Sequence, residues 1–331
     1  MRSATLAGQE EVEARWRRGE RVVPMALGEV GLPVPALLRR ELAAAAGRNT
    51  YGPVAGLDAL RRAAAEDWTR RGLPTDAEQV VAAPGSKALL FALRRAVGGD
   101  VVLPRPSWVS YAAQAVLAGG TAWHVPVRPG EGGAPDPHRL RALLTRARAD
   151  GRDVRQMLLT LPDNPTGTFP TSETVAELCA TAREFDLVIV CDEIYRDLTF
   201  ADARLASPAR HAPERTVVTA GLSKNLALGG WRLGVARFPD SPAGLRLRDE
   251  VLAIASEVWS VPPQPVQHAG VVAFRGAPEL TGFVRRARGL HAAVAHAVAD
   301  RCADRGVLPH RPSAAFYVYP DFSSHRTHLA D

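Results

Sequence analysis

The sequence predicts an α/β fold with a mostly parallel sheet, and three observations carry that expectation. Seven short apolar segments alternate with helix-length stretches between residues 80 and 238. Several of them, such as residues 157–161 and 187–191, are continuous apolar runs, the pattern of strands covered by helices on both faces. The residues that follow the strands are polar, Gly-rich or aromatic, as at a ligand-binding lip outside the carboxyl ends of parallel strands.

In chain order, Leu57, Leu60, Ala64 and Trp68 recur at helical spacing over residues 57–71, and Gly72 stops that helix. Strands are expected at 80–82, 101–103, 122–127, 157–161, 187–191, 217–220 and 233–238. After the first, Gly85-Ser86 open a helix that continues through Lys87; after the second comes Pro104-Arg105-Pro106-Ser107-Trp108. Pro162-Asp163-Asn164-Pro165, Asp192-Glu193-Ile194-Tyr195 and Gly221-Leu222-Ser223-Lys224 follow the fourth, fifth and sixth strands. From about Val271 an Arg/Ala-rich helix pattern (283–305) precedes a strand candidate at 315–319, which reads as a second, smaller subdomain.

The 331 residues are 46% hydrophobic and 23% charged, which excludes disorder, collagen and small disulfide scaffolds. A net charge of +6 raises the question of nucleic acid, but the arginines are dispersed beside Glu, Asp and Ala in helical patterns instead of lining one stripe. Three cysteines without a C-x-x-C pair signal neither a disulfide framework nor a zinc site, and no histidine pair has metal-ligand spacing. The N-terminal residues carry acids and lack an apolar core, and no apolar run is long enough to span a bilayer, so a cytoplasmic protein without a membrane partner is expected.

Of 41 Lys and Arg residues only two are lysines, Lys87 and Lys224. Arginine cannot form a Schiff base and lysine can, so a lysine in an arginine-dominated chain is a candidate nucleophile. Lys224 follows a strand and precedes an apolar, Gly-containing stretch, surroundings that lower an amine pKa. Asp192 closes an apolar strand, where a carboxylate costs several kcal/mol unless a cation or strong donor meets it; it is either a helix N-cap or a buried counter-charge. Gly85 and Ser86 at a helix N-terminus suit a phosphate, whereas the P-loop pattern fails because Ala88 stands where a hydroxyl should hold magnesium.

Seven stretches, in order, resemble class I/II aminotransferases of fold type I, the pyridoxal 5′-phosphate (PLP) superfamily of aspartate and aromatic aminotransferases. They are LGEVGLPVP (27–35), YGPVAGLDALRRAAA (51–65), PGSKALLFAL (84–93), PRPSWVSY (104–111), LPDNPTGTF (161–169), CDEIYRDLTF (191–200) and LSKNLALGGWRLG (222–234). The resemblance implies a large PLP-binding domain (48–268), an N-terminal arm with part of a small domain (1–47), and a C-terminal small α+β domain (269–331). It implies PLP as cofactor, no metal, and ping-pong transfer between an L-amino acid and a 2-oxo acid through an internal aldimine on Lys224. The same scaffold also hosts β-lyases, decarboxylases, synthases and non-catalytic modules.

By the same resemblance Asp192 keeps the pyridine nitrogen protonated, and Tyr195 and Asn164 donate to the phenolic oxygen. Trp108 stacks on the ring, and Gly85, Ser86, Lys87, Ser223 and Arg232 hold the phosphate, Lys87 through its N–H more than its side chain. Tyr51 reaches the phosphate of a second subunit in a homodimer, and Gly28 belongs to a segment that closes over substrate alongside Trp108 and Asn164. Pro106 and Pro165 are expected to follow cis bonds. The family arginine that pairs with the substrate α-carboxylate lies well beyond the strand candidate. No residue up to 331 matches it, Arg326 being too close to that strand, so the small domain is expected to be C-terminally incomplete.

Overall fold

The computed structural model describes residues 4–25, 27–201 and 205–328. One sheet contains β1 (Val80–Ala83), β2 (Asp100–Arg105), β3 (Ala122–Pro126), β4 (Val154–Thr160), β5 (Val188–Asp192), β6 (Thr216–Gly221) and β7 (Gly234–Arg237). Their spatial order is β1-β7-β6-β5-β4-β2-β3, and the pairs are parallel except the two made by β7. Between β6 and β7 lies only a 3₁₀ turn (Gly229–Trp231) and no crossover helix, so β7 returns antiparallel. The mostly parallel sheet is the one the apolar runs predict.

The helices are α1 (Ala4–Arg17), α2 (Ala36–Ala45), α3 (Asp58–Arg70), α4 (Ser86–Val97), α5 (Val109–Leu117), α6 (Pro137–Ala149) and α7 (Ser172–Glu184). They continue with the single turn α8 (Pro208–His211), then α9 (Pro242–Val258), α10 (Gln264–Arg275) and α11 (Pro278–Ala303). Side chains alternate across each strand, which divides the core between the two faces. Val81 and Ala83 pack with Leu89 and Leu93 of α4 and Val251 of α9, while Val80 and Ala82 face Leu60 and Trp68 of α3 and Phe274 of α10. In the middle of the sheet Leu158 and Val190 join the α4 side, and Met157, Leu159, Ile189 and Cys191 join Leu140 of α6 and Leu178 of α7. Each fully buried Leu contributes about 1.5–3 kcal/mol, so the doubly covered sheet is a rigid base for whatever its loops carry. No helix among the described residues is long and apolar enough to cross a membrane.

Two expectations need correction. Residues 315–319 do not form a strand: their neighbourhood makes one isolated bridge, Thr199 with Ala314, flanked by Phe200 N–H to Ser313 O and Ala315 N–H to Leu198 O. Only residues 198–200 lie alongside, too short a template for a ladder. The cis X–Pro bonds are Arg105–Pro106, as expected, and Leu161–Pro162 in place of the bond before Pro165. Pro165 instead sits inside the turn closed by Gly167 N–H on Asp163 O, which uses its fixed φ.

Candidate active site

A cleft of about 400 Å³ opens at the carboxyl ends of the parallel strands. Its lining includes Gly28, Ser86, Lys87, Trp108, Asn164, Asp192, Tyr195, Ser223, Lys224 and Arg232, so residues from six separate segments converge as the sequence predicts. Gly85 lies directly behind Arg232. Tyr51 is outside the lining and 88% exposed.

Asp192 is the last residue of β5 and is 3% exposed. Its Oδ2 accepts from Tyr111 Oη at 3.1 Å, and its Oδ1 accepts from Thr219 Oγ1 at 3.1 Å and from Ile194 N–H at 3.3 Å. The donor from Ile194, two residues on, is the local turn contact, yet the side chain is aimed inward and lines the cleft. No ion pair involving it occurs among the described residues, and burial pushes its pKa up to about 6 despite those donors. A cationic partner delivered by a ligand is what this carboxylate lacks.

Lys224 stands three residues beyond β6. Burial is the main cause that lowers its pKa; Glu29 opposes that shift, and Arg232 reinforces it. The Nζ donates to the carbonyl of Gly28, in the arm that crosses the cleft mouth at residues 27–32. The following residue is anchored: Asn225 Nδ2 donates to Asp197 Oδ2 at 2.7 Å, and Asp197 Oδ1 accepts from Arg71 Nη1 at 2.7 Å.

At the other end, Gly85 caps α4 with φ +91°, and a Cβ there would lie 2.3 Å from the Arg232 guanidinium. The positive φ favours glycine, and any side chain there would also have to push the guanidinium aside. Arg232 itself adopts the left-handed region, φ +55°, which costs a non-glycine residue about 1 kcal/mol and is held by Nη1 donating to Gly229 O at 2.8 Å. The N-terminus of α4, the Arg232 guanidinium, Ser86 and Ser223 thus line the same cleft, groups suited to receive an anion. The Lys87 side chain also reaches the cleft: its Nζ lies 4.8 Å from the Trp108 ring centroid, and burial followed by Arg232 lowers its pKa.

Asn164 projects from the turn after β4. Asp163 organises that turn, its Oδ2 accepting from Thr166 Oγ1 at 2.7 Å and Thr166 N–H at 3.2 Å, and burial pushes its pKa up to about 7. Gly167, φ +70°, would place a Cβ 2.5 Å from the Tyr317 carbonyl, so its lack of a side chain admits the 312–317 segment. That segment brings Tyr317 to Tyr195, their hydroxyl oxygens 2.6 Å apart.

The family model of aminotransferase class I and II matches residues 21–331. The chain belongs to the class I and II aminotransferases. It is 32% identical over 327 residues to an aspartate/prephenate aminotransferase of Thermus thermophilus, covering 97% of this chain and 82% of the relative. It is 33% identical over 320 residues to an arginine–pyruvate transaminase of Pseudomonas aeruginosa, with 93% and 77% covered. The solved aspartate aminotransferase of Thermus thermophilus with maleate superposes at a TM-score of 0.87 and 30% identity, over 95% of this chain and 81% of that one.

This aminotransferase is therefore a PLP-dependent transferase of fold type I, and its cleft fits that cofactor: a buried carboxylate with no ion pair among the described residues, a buried primary amine, and a helix N-terminus beside a guanidinium. Sequence reasoning missed Tyr111, Thr219 and Tyr317. Tyr111 could have been found, three residues after Trp108 and hence on the same face of α5. The side chain of Arg326 lies outside what the structure describes.

Proposed function

We propose that the chain moves amino groups between L-amino acids and 2-oxo acids in two successive half-reactions at one site, with Lys224 as the proton-transfer group. The observation that carries this is a buried amine on Lys224 sharing a cleft with a buried carboxylate, Asp192, that makes no ion pair among the described residues. PLP, when bound, supplies an aldehyde carbon that takes up an amino group and a ring that accepts the electron pair left when a Cα–H bond breaks.

Asp192 would hold a proton on the ring nitrogen, while Asn164 and Tyr195 donate toward the phenolic oxygen. Gly85, Ser86, Lys87, Ser223 and Arg232 would hold the phosphate, and Trp108 the ring face. Lys224 Nζ would hold the cofactor through its primary amine and, when free, would take up and hand back the substrate Cα proton. Burial lowers the pKa of that amine, which favours its neutral, proton-accepting form. The arm at residues 27–32 covers the cleft and limits water. The exposed Tyr51 supports a homodimer in which each copy completes the other's phosphate site.

A single-turnover experiment tests the reading. Protein loaded with PLP is mixed with one amino acid at a time and no acceptor; the named relatives put aspartate and arginine first. Stoichiometric release of the 2-oxo acid, with the cofactor left in its amino form, is the expected result. Release of ammonia with pyruvate, or of carbon dioxide, would move the chain to a lyase or decarboxylase. No change with any donor would contradict transfer altogether.

A further inference from the structure

Tyr317 has no part in holding cofactor or substrate in the proposed function, yet its hydroxyl touches two groups that do. Its Oη lies 2.6 Å from Tyr195 Oη, and the two rings meet edge to face at 5.5 Å. A Cβ built on Gly28 would fall 2.4 Å from the same Oη, so the arm passes directly over it. Having no side chain, Gly167 lets the Tyr317 carbonyl pass close behind it, and its own carbonyl accepts from Ser313 N–H and Ala314 N–H. The Tyr195 ring on one side and the arm on the other thus bracket that hydroxyl.

We propose that Tyr317 is a positioning residue that donates to Tyr195, so that the single Tyr195 proton is left to point at the cofactor's phenolic oxygen. A tyrosine hydroxyl has one hydrogen to give and lone pairs to accept with. Were Tyr195 the donor within the pair, it would have nothing for the cofactor. Tyr317 keeps its proton across the working range, because burial pushes its pKa up to about 12. The titratable groups facing the pair are Asp192 from β5, Asp163 from the turn after β4, Tyr111 from α5 and Lys224 from the loop after β6. Glu29 and Arg232 lie beyond Lys224. The two carboxyls raise the cost of a tyrosinate here, which favours a donated proton over a lost one. A donor behind Tyr195 polarises its O–H and strengthens the bond it makes forward.

The inference rests on the proposed function, and the test separates the two. The pH midpoint of the Lys224-dependent visible band is measured for PLP-loaded wild type, Tyr317→Phe, Tyr195→Phe and the double variant. Tyr195 donation stabilises the deprotonated chromophore, so losing its support should raise the midpoint. Tyr317→Phe is expected to shift it upward by about half a unit to one unit, with the double variant matching Tyr195→Phe alone and the thermal midpoint little changed. An unmoved midpoint in Tyr317→Phe, or shifts that add in the double variant, overturns the positioning role. Absence of any such band in wild type would bring down the proposed function, and this role with it.

Discussion

Tyr111 and Asp192 meet across the floor of the cleft: Tyr111 Oη donates to Oδ2 at 3.1 Å and itself accepts from Thr160 Oγ1 at 2.8 Å. Donors in series fix the direction of the carboxylate and favour its ionised form, against the burial that disfavours it. Tyr111→Phe removes one of three donors. Cofactor affinity should fall about tenfold, the effect of one charge-assisted hydrogen bond, as measured by fluorescence titration with PLP. Unchanged affinity would mean that Tyr111 only packs.

Asp192 should also be a liability to the cofactor-free fold. A carboxyl whose folded pKa is raised loses stability as pH climbs from its unfolded value to its folded one, here from 3.8 to about 6. Cofactor-free Asp192→Asn is therefore predicted to be more stable than wild type above pH ~6, by about 1–3 kcal/mol, and no more stable near pH ~4. Urea denaturation at both pH values checks this. The same variant should lose nearly all turnover.

Asp197 is the opposite case. Burial pulls its pKa up, yet the charges of Arg71 and Arg196, with hydrogen bonds from Asn225 and Arg71, hold it below the ordinary value. Its contribution is present above the unfolded pKa and is lost as pH falls through the lower folded one. Asp197→Ala would leave Arg71 and Arg196 with Asp67 as their shared carboxylate partner and release Asn225, at a cost of about 3 kcal/mol. Asn225→Ala should cost only about 1 kcal/mol but lower kcat, because it frees the chain next to Lys224. Equal stability losses in the two variants would contradict this division.

If two copies share their sites through Tyr51, complementation should follow. Tyr51→Ala and Lys224→Ala homodimers are each expected to be defective. Mixed after reversible denaturation, they should recover about a quarter of wild-type activity, since half the dimers carry one intact site. No recovery, with mixed dimers shown to form, would exclude the exchange.

The sheet was legible because continuous apolar runs bounded by helices have few other solutions. Asp192 and Lys224 were legible for a related reason, each being a residue type that is costly or rare where it stands. Tyr317 was not. It meets Tyr195 across 122 residues of chain, and what admits it is the absence of side chains at Gly28 and Gly167. The inference of a strand at 315–319 failed because a short apolar and aromatic run says nothing about whether a neighbour will lie along it. Lys87 was read by its backbone, since a helix N-terminus is visible in sequence while the direction of a flexible side chain is not.

The central claim is that Lys224 carries the cofactor chemistry, and visible absorbance tests it most directly. Cofactor-free wild type and Lys224→Ala are each titrated with PLP and their spectra compared with free cofactor. Wild type should develop a band distinct from free PLP, and Lys224→Ala should bind PLP without it. Identical spectra for the two proteins would contradict the account.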